Sequence, residues 1–178
     1  GYAEAVSVPF GAGTALYFLR DRATIQPGQH VLVNGASGGV GSYAVQIAKA
    51  FGAEITAVCS GRNADIVREL GADYVIDYTR EDFTQNHAAY DVIVDTVLGK
   101  MTFGKAKNAL KPEGLYLAVA GGFSEMISIW NKQLITGSPK EDAASMTALA
   151  EMLEAGQIKP FIDRTYTLED TAAAHRYV

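Results

Sequence analysis

Six residues, Ala36-Ser37-Gly38-Gly39-Val40-Gly41, carry the spacing of a glycine fingerprint whose first glycine is replaced by alanine. In a dinucleotide-binding turn each small position has a task. The first permits the tight turn, Gly38 lets main chain approach a pyrophosphate, and Gly41 lets helix and strand pack closely. A helix expected to start near Gly38 adds free N–H groups and the positive end of its dipole, and both favour phosphate.

The second informative group lies about 20 residues on, where an NAD-binding chain places an Asp or Glu for the ribose 2′-hydroxyl. Here Cys59 occupies that place, followed by Ser60, Gly61, Arg62 and Asn63, and the next carboxylate along the chain is Asp65, inside the following helix. A hydroxyl and a guanidinium without an acid suit a 2′-phosphate, which a carboxylate would repel. This composition favours NADPH over NADH. A plainer role is also open, with Arg62 solvated in a first turn and Ser60 capping the helix.

These groups need elements to hold them. His30–Asn34 reads as a first strand, and Gly38–Phe51 as a helix with Val40, Ala44, Ile47, Ala48 and Phe51 on one face, stopped by Gly52. Glu54–Cys59 is a β-branched second strand, Asn63–Leu70 a short helix closed by Gly71, and Tyr74–Asp77 a third strand. A polar connection over Glu81–Ala89 leads to a fourth strand at Asp91–Thr96. A helix over Met101–Leu110 then returns to a fifth strand at Gly114–Ala120, with a short edge strand at Gln133–Gly137. A leading helix at Ala12–Arg22 and a long helix at Lys140–Ala155, with Pro139 in its first turn, complete the core. Alternating strand and helix predict an α/β fold, a doubly wound parallel sheet of about six strands with helices on both faces. The tail differs: Ile158–Ile162 reads as extended, Thr165–Thr167 as a possible strand and Leu168–Val178 as a helix.

Composition sets further bounds. A net charge of −5 and a pI near 5.2 argue against nucleic acid as the main partner. The apolar runs are too short for a bilayer span, so no membrane partner is expected. A single cysteine, Cys59, makes no internal disulfide, which leaves a reducing, cytoplasmic setting as the expectation. His30, His87 and His175 show no metal-ligand spacing, so no metal site is expected. Asp91 and Asp95 read as structural groups rather than catalytic acids.

Six consecutive segments resemble the medium-chain dehydrogenase/reductase superfamily, in its zinc-free quinone oxidoreductase-like branch. They are VPFGAGTALYFL (8–19), QPGQHVLVNGASGGVGSYAVQIAKAFGAEITAVCS (26–60), ELGADYVIDY (69–78), YDVIVDTVLG (90–99), LKPEGLYLAVAGG (110–122) and AGQIKPFIDRTYTLEDTAAAHRYV (155–178). The resemblance implies a Rossmann-type NADP(H)-binding domain over residues 1–157. It also implies a tail, 158–178, that returns toward a GroES-like substrate domain lying outside this chain, so that the chain would hold the cofactor half alone and be inactive by itself.

Carried over by motif, Asn34, Ala36, Ser37, Gly38, Gly39, Val40 and Gly41 would line the pyrophosphate. Ser60, Arg62, Asn63 and Tyr78 would surround the 2′-phosphate, and Thr96 and Val97 would touch the adenosine side. Ala120, Gly121 and Gly122 would approach the nicotinamide ribose, with Thr14 near the nicotinamide. Plainer roles are a sheet-edge cover for Tyr78 and packing for Thr14. Zinc enzymes of the superfamily carry a ligand cysteine where this chain has Gly11, which speaks against zinc.

The resemblance implies hydride transfer from NADPH to a quinone or α,β-unsaturated carbonyl, and a homodimer formed through the edge strand near Gln133–Gly137. Two alternatives stand beside it: a non-catalytic NADPH-binding sensor or scaffold, and a zinc-type alcohol dehydrogenase. No residue here stands out as the catalytic proton donor.

Overall fold

A computed structural model describes residues 1–119, 131–139 and 142–177. Its centre is one six-stranded parallel sheet: β1 (His30–Asn34), β2 (Glu54–Cys59), β3 (Tyr74–Asp77), β4 (Tyr90–Asp95), β5 (Leu110–Ala118) and β6 (Leu134–Ile135). The strand order is β3-β2-β1-β4-β5-β6, and the chain reverses its direction of travel across the sheet between β1 and β4. This is the Rossmann-type arrangement, and its ligand crevice opens beyond the carboxyl ends of the strands at that reversal.

The strands form where β-branched and aliphatic residues can be buried on both faces, as a parallel sheet requires. Side chains alternate with a period of two. Val31, Val33, Val92 and Val94 enter one core, whereas Leu32, Ile93 and Tyr116 enter the other. The first core is covered by α1 (Tyr2–Leu16), α2 (Gly41–Ala50) and the helix Ala143–Glu154, which becomes α5 after α3 (Ala64–Glu69) and α4 (Phe103–Ala106). A last helix, α6 (Thr171–Tyr177), lies in the tail. No helix among the described residues is long and apolar enough to cross a membrane.

Several boundaries move from their expected places. The leading helix starts at Tyr2 and passes through Pro9, because burial of Val8, Ala12, Ala15 and Leu16 outweighs the proline penalty; it then widens into a π-helical turn, Tyr17–Arg22. The helix expected from Gly38 starts at Gly41, since the Gly38 N–H turns back to the Gly35 carbonyl. The helix expected over Met101–Leu110 shrinks to Phe103–Ala106, because Leu110 is drawn into β5 opposite Tyr90. The edge strand keeps two residues of the five expected. The Asp142 carboxylate caps α5 by accepting from the Ser145 N–H at 2.7 Å, so Pro139 lies before the helix rather than in its first turn. Thr165–Thr167 forms no strand.

Candidate functional site

The glycine loop joins β1 to α2, and its shape follows from close contacts of main chain. Gly35 takes φ +80°, and a Cβ there would stand 2.6 Å from Thr96 Oγ1 and 2.8 Å from Val97 Cγ2. A Cβ on Gly41 would overlap the Gly35 carbonyl, which makes Gly41 the helix–strand packing glycine that the fingerprint predicts. A Cβ on Gly39 would meet only open space. Ala36 is fully buried and can offer a ligand only its main chain. The N–H groups of Gly39 and Val40 have no partner among the described residues. The loop therefore combines an open face with unpaired donors at the start of a ten-residue helix, the arrangement that receives a pyrophosphate.

Three depressions follow the carboxyl end of the sheet. One, of about 650 Å³, is bounded by Ser37, Gly38, Gly39, Ser42, Arg62 and Asn63. The second, about 490 Å³, is bounded by Asn34, Gly35, Tyr78 and Val97. The third, about 570 Å³ and largely apolar, lies between Thr14, Val40, Thr96, Val119 and Met146. Their order suits an elongated, two-ended ligand: a charged end at the β2 turn, a middle over the glycine loop and an apolar end beside α1.

Around the first depression, Asn63 Nδ2 donates to Ser37 Oγ at 2.9 Å and ties the β2 turn to the glycine loop. Ser60 makes no capping bond through its side chain, and it does not line the depression. Arg62 is exposed, and its guanidinium has no hydrogen-bond or ion-pair partner among the described residues. Tyr78 is well exposed and lines the second depression rather than the first. Thr96 is partly committed elsewhere: its hydroxyl donates to the Asn34 carbonyl at 2.8 Å, and its side chain faces the third depression. Ala120, Gly121 and Gly122 lie outside the described residues.

Three positions escape reading by motif. Gly35 carries the positive φ, although the fingerprint spacing starts at Ala36. Asp95 is buried and accepts from Asn34 Nδ2 at 2.8 Å and from the Tyr116 hydroxyl at 2.6 Å, which fixes Asn34 beneath the loop. Asp77, from the end of β3, brings a carboxylate beside Gly61, where the chain read along β2 alone shows none. Hydrogen bonds from the Thr79 N–H and hydroxyl, helped by the nearby Gly61 N–H, hold the Asp77 carboxyl below the usual carboxylate range. Cys59 is buried, and burial pushes its thiol up, as for a packed strand residue.

Zinc finds no fit among these residues. No group of three or more His, Cys, Asp or Glu among the described residues could hold a metal ion. At the superfamily's ligand position, Gly11, a Cβ would stand 2.5 Å from the Gly39 carbonyl oxygen. A cysteine there would collide with the glycine loop.

Residues 70–178 match the family described as zinc-binding dehydrogenase. The mouse mitochondrial NAD(P)H oxidoreductase RTN4IP1 is 31% identical over 205 residues, with 97% of this chain covering 52% of that protein. The chloroplast envelope quinone oxidoreductase homolog of Arabidopsis thaliana is also 31% identical, with 94% of this chain covering 56% of it. Among solved structures, the quinone oxidoreductase from Coxiella burnetii superposes with a TM-score of 0.85 at 26% identity, with 97% of this chain covering 56% of that one. The chain thus spans about half the length of the relatives it matches.

Proposed function

From the premise that this chain belongs to the zinc-binding dehydrogenase family, among medium-chain oxidoreductases, we propose that it is the NADPH-binding half of a zinc-independent quinone oxidoreductase-like enzyme. A nicotinamide cofactor accords with the NAD(P)H oxidoreductase relatives. The observation that favours NADPH is the unpaired Arg62 guanidinium beside Ser37 and Asn63, at the end of the groove where the ribose falls in this fold.

When bound, NADPH supplies a hydride, which with one proton reduces a quinone to its hydroquinone or an enone across its double bond. The chain's own residues bind and orient. Gly39 and Val40 offer N–H groups to the pyrophosphate, Arg62 and Asn63 hold the 2′-phosphate, and the apolar walls near Thr14 and Met146 keep water from the reactive end. Polarisation of the acceptor and its protonation fall to donors on the substrate domain or to water, so this chain alone binds cofactor and turns over no quinone. The reading includes a homodimer paired through β6, whose outer edge meets no strand among the described residues.

Calorimetric titration with NADPH and NADH tests the cofactor reading. Tighter NADPH binding that is lost selectively in Arg62→Ala is expected. Equal affinity for both cofactors in the native chain would overturn the preference.

A further inference from the structure

The two arms expected to grip the 2′-phosphate, Ser60–Asn63 after β2 and Tyr78 after β3, meet at one side chain. Asp77 and Cys59 are register partners in the β2–β3 pair, so the Asp77 carboxylate stands directly beside the β2 turn. One oxygen faces Gly61 so closely that an added Cβ would lie 2.5 Å from it, and the nearby Gly61 N–H adds to the donors that lower the carboxyl. The other oxygen accepts from the Thr79 N–H at 3.0 Å and the Thr79 hydroxyl at 2.8 Å. Arg80 approaches only to 3.7 Å, so main-chain and hydroxyl donors, rather than a close ion pair, satisfy the charge.

The pattern is that of a brace. Gly61 immediately precedes Arg62, and Thr79 immediately follows Tyr78, so the carboxylate fixes the flank of each arm. We propose that Asp77 is a positioning residue for cofactor selectivity: by bracing Gly61 against Thr79 it sets Arg62 at the 2′-phosphate and keeps Tyr78 at the neighbouring depression, without touching the ligand. This rests on the NADPH reading above. It also accounts for a carboxylate at a place where an acid free to bond ribose would favour NADH, because one oxygen is taken by the two Thr79 donors and the other is pressed against Gly61.

Two nucleotides that differ only in the 2′-phosphate, adenosine 2′,5′-bisphosphate and 5′-AMP, isolate the effect by calorimetric titration. Asp77→Asn keeps the shape but turns a donor toward Gly61 in place of an acceptor, and Gly61→Ala presses on the same contact from the other side. Each substitution is expected to weaken bisphosphate binding roughly tenfold while 5′-AMP changes by less than about twofold, the size of one charge-assisted bond lost. The double variant should be little worse than either single one, because both break one contact. If either variant fails to fold, Thr79→Val removes one donor from the brace and should lower the preference in the same direction.

Parallel weakening of both nucleotides would show a merely structural role and overturn the proposal. So would an unchanged preference, or tighter bisphosphate binding by Asp77→Asn, which would mean that the charge outweighs the brace. A native chain without any preference would overturn the NADPH reading as well. A native preference that survives all three substitutions would remove the brace alone.

Discussion

Gly11 of α1 and Gly39 of the glycine loop touch main chain to main chain: the Cβ that Gly11 lacks would stand 2.5 Å from the Gly39 carbonyl oxygen and 3.0 Å from the Tyr43 ring. The leading helix therefore supports the loop from behind, and the loop's open face is left for a ligand. This contact links residues 28 positions apart, and it makes glycine a requirement rather than a flexible convenience.

Gly11→Ala sets two effects against each other. Alanine favours a helix interior over glycine by about 1 kcal/mol, whereas overpacking against a carbonyl that cannot swing away costs about 1–3 kcal/mol. Overpacking wins, so the variant should melt below the native chain and bind NADPH more weakly. Gly11→Cys should show the same loss and retain no zinc on metal analysis; a tightly held stoichiometric zinc in that variant would show that the loop can make room for a ligand there.

Asp95 anchors the floor of the nucleotide groove. Its two oxygens take Asn34 Nδ2, the Tyr116 hydroxyl and, at 3.2 Å, the Val97 N–H, all in a site 5% exposed. Asp95→Ala would remove the buried acceptor that these donors share, at a cost of about 2–4 kcal/mol. Urea unfolding should show the midpoint fall accordingly. A change under about 0.5 kcal/mol, the scale of an ordinary surface substitution, would contradict the network's role.

At the opposite end of the sheet, two carboxylates receive strand N–H groups. Burial pushes the Asp91 carboxyl up, but bonds from Lys111 at 2.7 Å and from the His30 N–H at 2.8 Å outweigh it, and the net shift is downward. Asp73 follows the same rule: burial raises it, and Lys49 at 2.6 Å with the Ile55 N–H at 2.8 Å lowers it further. Since both folded values lie below the unfolded value of about 3.9, the stability they contribute is present above that pH and lost as pH falls through the folded values. Asp91→Asn should thus be less stable than the native chain at neutral pH, with the gap narrowing below about pH 4. Urea midpoints measured against pH check this, and a gap that stays constant into strong acid would contradict it.

Much of this architecture is legible along the chain because its signals are local. HVLVN, EITAVC and YVID carry β-branched runs between turn residues, and β1, β2 and β3 fall on their expected bounds. Pro9 hides the start of α1, because a local penalty conceals burial that only packing against α2 and α5 supplies. Leu110 reads as the end of a helix and Gly114 as the start of the fifth strand, yet Leu110 pairs with Tyr90 and the strand simply bulges before Leu115. The site divides along the same line. Glycine spacing shows the loop, whereas Gly11, Asp77 and Asp95 act on atoms far away in sequence, and no window of residues displays such partners.

The tail is fastened through Gln46, and the loss of that contact should be readable. Ile158 is buried in the core beside α5, and Gln46 of α2 then pairs with Lys159 as a strand neighbour would. Gln46 Oε1 accepts from the Lys159 N–H at 2.7 Å, while Gln46 Nε2 donates to the Lys159 carbonyl at 3.1 Å. Beyond Pro160 most side chains are exposed, so little else holds residues 161–177 to the sheet. Gln46→Ala removes both bonds and leaves two main-chain groups of a part-buried segment unpaired, at a cost of about 1–3 kcal/mol. Local opening should rise more than global unfolding, because the strands lose nothing. Amide exchange of Lys159 and its neighbours is expected to accelerate while β1 and β4 stay protected, and cleavage by protease should concentrate between 158 and 170. Uniform acceleration across the sheet would instead show that this pair belongs to the cooperative core.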